Sequence, residues 1–257
     1  MYFRMDFKYF ERMMALELKG KVAFVTGGGR GIGRETSILL AKQGAKVVVF
    51  SNDEAESQKT VDFIRDNHNG EAIALYGDVR SEESVKKAVE EVHLKFGMID
   101  ILINNAGVMT IKPFDETTVE EWDLNQDVNV RGVYLCTREV VSDMKEKKGG
   151  IIVNISSIWG TKGGPNRSAY ITSKYAVVGF TKALGEEFKP YNIRVNAVCP
   201  GPVDTKMMED LAPDVNKENW LHPKDIANII ADLCLPKMAA ITGTAIEAFG
   251  SGRPVNL

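Results

Sequence analysis

Short apolar runs alternate with longer amphipathic stretches from residue 21 onward. The runs fall at 22–26, 46–51, 72–76, 99–103, 151–155, 194–198 and 245–248, are mostly rich in Val and Ile, and read as near-continuous. A strand covered on one face alternates apolar and polar positions, whereas a continuous run marks a strand covered on both. Between them apolar residues recur at helical spacing over 33–43, 54–67, 81–96, 119–144, 168–189 and 223–235. Strand and helix in alternation predict an α/β chain, a doubly wound parallel sheet of about seven strands with helices on both faces. Gly44, Gly70 and Gly97 stand where helices should stop, and Ser81, Thr118 and Ser168 where they should be N-capped. No repeat, low-complexity tract or linker interrupts the pattern.

A chain of 257 residues can bury one large core. The expected division is therefore an N-terminal extension over 1–19 and a single domain over 20–257. The extension carries charges at Arg4, Asp6, Lys8, Glu11, Arg12, Glu17 and Lys19, which leave no signal-peptide core and no membrane span. It reads either as a loosely packed arm, with Met13 or Met14 as internal starts, or as an arm that docks a partner subunit. A net charge of -3 and a pI near 5.8 offer no footprint for nucleic acid or an anionic membrane. Cys136, Cys199 and Cys234 are widely spaced, which points to a reducing, cytoplasmic setting. His68, His93 and His222 show neither ligand spacing nor a partner, so no metal is expected.

Chemistry gathers in two places. The first strand runs into Thr26-Gly27-Gly28-Gly29-Arg30-Gly31-Ile32-Gly33 and then a helix, a context in which backbone amides and a helix N-terminus receive a phosphate. The second place is 151–174. There a strand ending at Ile155 opens into Ser156 and Ser157, and Tyr170 and Lys174 lie four apart on one helix face. A phenol can donate a proton near neutral pH only if its pKa of about 10 is pulled down, and an ammonium one turn away, with an oxidised nicotinamide, would do so.

The Gly-x-x-x-Gly-x-Gly spacing, Asn104-Asn105-Ala106-Gly107, Tyr170-x-x-x-Lys174 and Pro200-Gly201 fall in order at strand ends. Together they resemble the short-chain dehydrogenase/reductase family, closest in look to β-ketoacyl carrier-protein reductases, over nearly the whole chain. The resemblance implies a Rossmann-like fold, an NAD(P) cofactor and a small-molecule carbonyl or alcohol substrate. It implies that Gly27, Gly31 and Gly33 bind pyrophosphate, that Asp78 and Val79 meet adenine, and that Asn105, Ala106 and Gly107 line the ribose side and brace the sheet. Ending a strand, Asn104 and Asn105 could instead only satisfy loop backbone. Lys174 would hold the nicotinamide ribose, and Ser157, thirteen residues before Tyr170, the substrate oxygen; Ser156 is one residue too early for that spacing. Asn129 would complete the catalytic set by kinking its helix and holding a water on the proton route, with Asn125 as rival. Pro200, Gly201, Val203 and Thr205 would hold the carboxamide. A short lid over 206–221 follows, with Met207, Met208, Leu211 and Trp220, and with Trp159 as a further pocket wall or simple packing. Tyr175 has no lysine four residues on and is expected against a neighbouring helix. The family is mostly tetrameric, so a homo-oligomer, tetramer or dimer, is expected, although the tail 244–252 departs from the usual Val-Asp-Gly-Gly ending.

NAD or NADP is decided at the end of the second strand, where an acidic residue would bind the ribose hydroxyls of NAD. Ser51 and Asn52 occupy that place, and Arg30 could pair with a 2'-phosphate. This favours NADP, with Asp53 keeping NAD open. Three functions compete: an NADP-dependent carbonyl reductase, an NAD-dependent sugar or polyol dehydrogenase, and a dinucleotide-binding regulator without turnover.

Overall fold

A computed structural model describes residues 17–211, 213–214, 217–218 and 220–250. Most of the predicted N-terminal extension lies outside the described residues. The strands are β1 (Val22–Thr26), β2 (Lys46–Ser51), β3 (Ala72–Tyr76), β4 (Ile101–Asn104), β5 (Gly150–Ile155), β6 (Ile193–Pro200) and β7 (Ala245–Ala248). They form one parallel sheet in the order β3-β2-β1-β4-β5-β6-β7. The helices are α1 (Gly31–Lys42), α2 (Glu54–His68), α3 (Glu82–Lys95), α4 (Val119–Gln126), α5 (Gly132–Glu146), α6 (Ser168–Glu187), α7 (Lys206–Leu211) and α8 (Pro223–Leu233).

Successive strand residues feed opposite faces, and both faces are apolar. Val47, Val49, Ile101, Ile103 and Val153 pack with Ile38 and Leu40 of α1 and with Ile226 and Ile230 of α8. Val48, Phe50, Leu102 and Ile152 pack with Val85, Val89 and Val92 of α3, Val140 and Met144 of α5, and Leu184 of α6. This two-sided demand is why the strands are near-continuous apolar runs. The chain reverses its winding between β1 and β4, and a crevice opens there beyond the strand ends.

Several expected boundaries shift. The stretch over 119–144 is not one α-helix: a π-helical turn, Asp127–Arg131, separates α4 from α5. Arg167, not Ser168, takes the N-cap position of α6, because the chain enters that helix from an irregular loop. Asn69, in the left-handed conformation, ends α2 ahead of Gly70. Gly44 and Gly97 do have positive φ after their helices, and Ser81 and Thr118 do cap α3 and α4.

At the opposite edge of the sheet Asp100 accepts from the Val22 amide and Lys21, both at 3.0 Å, and pairs with Lys147 at 2.5 Å. His93 lies 2.8 Å from Asp143, which also accepts from the Ile99 amide. Among the described residues no three His, Cys, Asp or Glu are grouped to hold a metal, and no helix is long and apolar enough to cross a membrane.

Candidate active site

Beyond Thr26 the backbone turns through Gly27 at φ 61° and Gly31 at φ 55°, a region costly for residues with a Cβ. The turn opens onto a cavity of about 1240 Å³ at the crevice, and Gly27, Arg30, Gly31 and Ile32 line it. Gly33 does not. A Cβ there would fall 2.2 Å from the Gly27 carbonyl oxygen and 2.5 Å from Asn105 Nδ2, so Gly33 lets α1 press against the turn. Asn105 Nδ2 donates to the carbonyls of Thr26 and Gly27, both at 3.0 Å, which ties the end of β4 to the turn. Asn104 is buried and donates instead to Thr137 and Asn154. Ala106 and Gly107 lie on the cavity wall beside Asn105.

Ser51, Asn52, Asp53, Asp78 and Val79 form one end of the cavity. Arg30 is exposed and makes no ion pair among the described residues. Asp53 is already committed: its carboxylate accepts from the Glu56 amide at 3.1 Å and caps α2. Asp78 pairs with Arg80 at 2.6 Å, and hydrogen bonds from Arg80 hold its carboxyl below the ordinary range.

At the other end β5 finishes at Ile155 and the two serines diverge. Ser156 donates to the Lys174 carbonyl at 2.9 Å. Ser157 lines the cavity with its oxygen accepting from the Trp159 amide at 3.2 Å, and its hydroxyl faces Tyr170. Tyr170 and Lys174 share one face of α6, with Nζ 5.5 Å from the phenol ring centroid. Lys174 Nζ also donates to the Ile155 carbonyl at 2.9 Å. Burial governs both groups in the protein alone. It pushes the Tyr170 phenol up to about 12, against a smaller downward pull from Ser157, and the Lys174 ammonium down to about 8. In the protein alone the expected lowering of the phenol is absent, because desolvation outweighs the pull of Ser157.

Asn129 sits in the π turn, fully buried and off the cavity wall. Its Oδ1 accepts from the Val108 amide, and Nδ2 donates to the Val108 carbonyl and Ser173 Oγ, all at 2.9 Å. A Cβ on Gly107 would lie 3.2 Å from Asn129 Oδ1 and 3.5 Å from Lys174 Nζ, so that glycine brings the two together. Asn125 is spent on Thr110 Oγ1 and the Glu121 carbonyl.

After β6, Pro200, Gly201, Val203 and Thr205 line the cavity, and the Thr205 side chain lies close to Gly31, 3.3 Å from where a Cβ would stand. Met207, Met208, Leu211 and Trp159 also line it. Trp220 does not: its ring lies near Lys217, 5.6 Å away. Tyr175 is half-exposed rather than packed on a helix, because it points away from the sheet. Sequence reading passed over Arg167, Lys162 and Phe249, which stand in the wall. Only the position of Arg167, one turn before Tyr170, marks it in the sequence.

The residues present fit a dinucleotide. The two left-handed glycines expose backbone, and the first turn of α1 carries no acid to repel a pyrophosphate. The short chain dehydrogenase family model matches residues 21–216. The 3-oxoacyl-acyl-carrier-protein reductase of Aquifex aeolicus is 34% identical over 245 residues, covering 92% of this chain and 99% of that protein. The crystal structure of 3-ketoacyl-acyl-carrier-protein reductase from Brucella melitensis, complexed with NADH, superposes with a TM-score of 0.84 at 36% identity, covering 91% and 98% of the two chains. A Beutenbergia cavernae structure, described as an NAD(P)-dependent gluconate 5-dehydrogenase with bound NADP, has a TM-score of 0.83 at 30% identity, covering 90% and 95%.

Proposed function

Because the chain belongs to the short-chain dehydrogenase family of NAD(P)-dependent oxidoreductases, we propose that it is an NADP-linked carbonyl reductase. In this reading it reduces a β-ketoacyl-type or related ketone to the secondary alcohol, as a cytoplasmic homotetramer. One catalytic domain over 20–257 follows the extension 1–19, and the segment 206–221 covers the substrate. The observation that carries the reading is that Ser157, Tyr170 and Lys174 share a cavity with the left-handed glycine turn. Exposed Tyr134 on α5 and Tyr175 on α6 support pairing between copies through those helices.

The dinucleotide, when bound, supplies the hydride that adds to the carbonyl carbon. Ser157 would hold the carbonyl oxygen: its own oxygen accepts from the Trp159 amide, and its hydroxyl hydrogen, directed at Tyr170 in the protein alone, turns to the substrate. Tyr170 gives its phenolic proton to that oxygen as negative charge develops there. Lys174, fixed on the Ile155 carbonyl, presents its remaining donors to the phenolate and to a ribose. Asn129 holds the loop at Val108 and the helix at Ser173, and so the floor beneath Lys174.

NADP is supported by the uncharged Ser51 and Asn52, by Arg30 without a carboxylate partner, and by the commitment of Asp53 to its helix cap. A second reading, an NAD-dependent sugar or polyol dehydrogenase, draws its substrate class from the structural neighbour described as a gluconate 5-dehydrogenase, which holds NADP, and its cofactor from Asp53 in the wall. Titration with NADPH and NADH, then turnover on ketoesters and on aldoses or polyols, separates the two. The expected result is tighter NADPH binding and ketoester reduction, which Tyr170→Phe lowers by about 10²- to 10⁴-fold. NADH preference with polyol oxidation overturns the reading. Binding of both cofactors without turnover on any carbonyl or alcohol points instead to a regulator.

A further inference from the structure

The acids along the cavity are sorted by place, whereas cations, Arg30 and Arg80 among them, stand at both ends. Among the described residues its carboxylates are Asp53, Glu54, Glu56 and Asp78, all after β2 or β3. The end around Ser157 and Tyr170 holds Lys162, Arg167 and Lys174 and no acid. Lys174 is occupied by its catalytic neighbours. Arg167 is only 8% exposed, one turn ahead of Tyr170. Its guanidinium lies 5.1 Å from the Trp159 ring centroid, and Nη1 donates to the Pro165 carbonyl at 2.9 Å. Trp159 is wedged in turn against Gly164, where a Cβ would fall 2.4 Å from the ring. The stack holds the guanidinium in place, yet its other donors have no acceptor among the described residues. Burial without a counter-charge is costly, and natural proteins normally pair such a group. Lys162 Nζ, 4.5 Å from the Phe249 ring centroid, is a second cation in the same wall without an acid partner.

A planar guanidinium takes a carboxylate through two parallel N–H···O bonds. The geometry points to a substrate that carries a carboxylate a few bonds from its carbonyl: an oxo acid, reduced to the hydroxy acid. Arg167 is the clamp and Lys162 the supporting charge. Anchoring the acid one turn from Tyr170 sets both the distance and the orientation of the ketone before proton transfer. This assignment rests on the reductase reading and narrows its substrate.

The test compares NADPH-linked reduction of straight-chain 2-, 3-, 4- and 5-oxo acids with that of their methyl esters. Wild-type enzyme, Arg167→Leu and Arg167→Lys are assayed, and calorimetry follows binding of the best acid to enzyme saturated with NADP+. In the wild type at least one acid should exceed its ester in kcat/KM by tenfold or more. Arg167→Leu should shrink that acid-to-ester ratio on the order of 10- to 100-fold, mainly through KM, with a matching loss in calorimetric affinity, and Arg167→Lys should restore part of it. Esters equal to or better than acids throughout the wild-type series would overturn the assignment, whatever the variants do. A ratio unchanged in Arg167→Leu would also overturn it and leave the arginine as a brace for the 158–167 loop. Reduction of neither acids nor esters, with NADPH still bound, would instead remove the reductase reading on which the assignment stands.

Discussion

Lys174 offers a test of the idea that the active site is held at the expense of stability. The side chain is 5% exposed, has no carboxylate partner, and burial lowers its pKa from 10.5 to about 8. At pH 7 it is charged in both the folded and the unfolded chain, but the folded chain holds that charge less well. The fall corresponds to a penalty of about 3 kcal/mol. Lys174→Met removes the penalty. It also strips the donor from the Ile155 carbonyl, at a cost of about 1–2 kcal/mol. The net expectation is a variant more stable than wild type by about 1–2 kcal/mol at pH 7, and nearly inactive.

The sign then changes with pH. Between pH 8 and 10.5 the unfolded chain binds the proton that the folded lysine has released, so wild-type stability rises relative to the variant. A neutral amine still donates to Ile155, so the order should reverse as pH approaches 10. Urea unfolding of both proteins at equal protomer concentration, every half unit from pH 6.5 to 10, reads the difference; Lys174 also draws the Cys199 thiol down, so the comparison is made in a Cys199→Ala background. A difference that stays flat with pH, or a variant less stable at pH 7, would refute the argument.

Two further outcomes follow from other contacts. Gly33→Ala must place a methyl 2.2 Å from the Gly27 carbonyl oxygen, so despite a better helix propensity it should lose about 1–2 kcal/mol in urea unfolding. Its NADPH affinity should fall at least tenfold by fluorescence titration, and wild-type affinity would contradict the packing role. Burial pushes the Asp100 carboxyl up, but hydrogen bonds from Lys147, the Val22 amide and Lys21 outweigh this and leave it below 3.8. The stability it contributes is present above that value and is lost as pH falls through the folded pKa. Asp100→Asn should therefore cost about 2 kcal/mol at pH 7 and progressively less below pH 4, with an equal cost at both pH values counting against the ion network.

What could be read in the sequence follows from how local each determinant is. β1, β2, β3 and β7 match their runs to the residue: β1 and β2 are buried on both faces and read as uninterrupted apolar runs, whereas β3 and β7 are half-exposed edge strands marked by the turn residues around them. The glycine turn and the Tyr170–Lys174 step are equally legible, since each is contiguous or spans a single helical turn. The break between α4 and α5 falls at Asn129, where the family resemblance implies a kink, but periodicity alone does not mark it: a π turn inserts one residue, and the unfavourable mid-helix asparagine is the local sign of it. Gly33 looked like a phosphate contact because motif spacing cannot separate a glycine that faces a ligand from one that faces a helix. Arg167 escaped because its setting depends on the 158–167 loop folding back to set Trp159 beneath it, a contact that no pattern encodes.

Left-handed backbone occurs at both edges of the sheet, at Gly44 and Gly97 as well as in the glycine turn. A buried lysine without an acid, a buried arginine without a counter-ion and a π turn lie at the carboxyl edge. At the amino edge, buried Asp100 and Asp143 are satisfied by cations and backbone amides. Unpaired arginine is not confined to that edge, since Arg194 at the start of β6 has no acid partner and a buried Nη1 without an acceptor; what sets Lys174, Arg167 and Lys162 apart is that they line one cavity with Tyr170. Unpaired cations gathered on one cavity are characteristic of a site built for a ligand that completes it. The missing complement is negative. A pyrophosphate answers it at the glycine turn, and in our proposal a substrate carboxylate answers it at Arg167 and Lys162, which is what the acid-to-ester comparison measures.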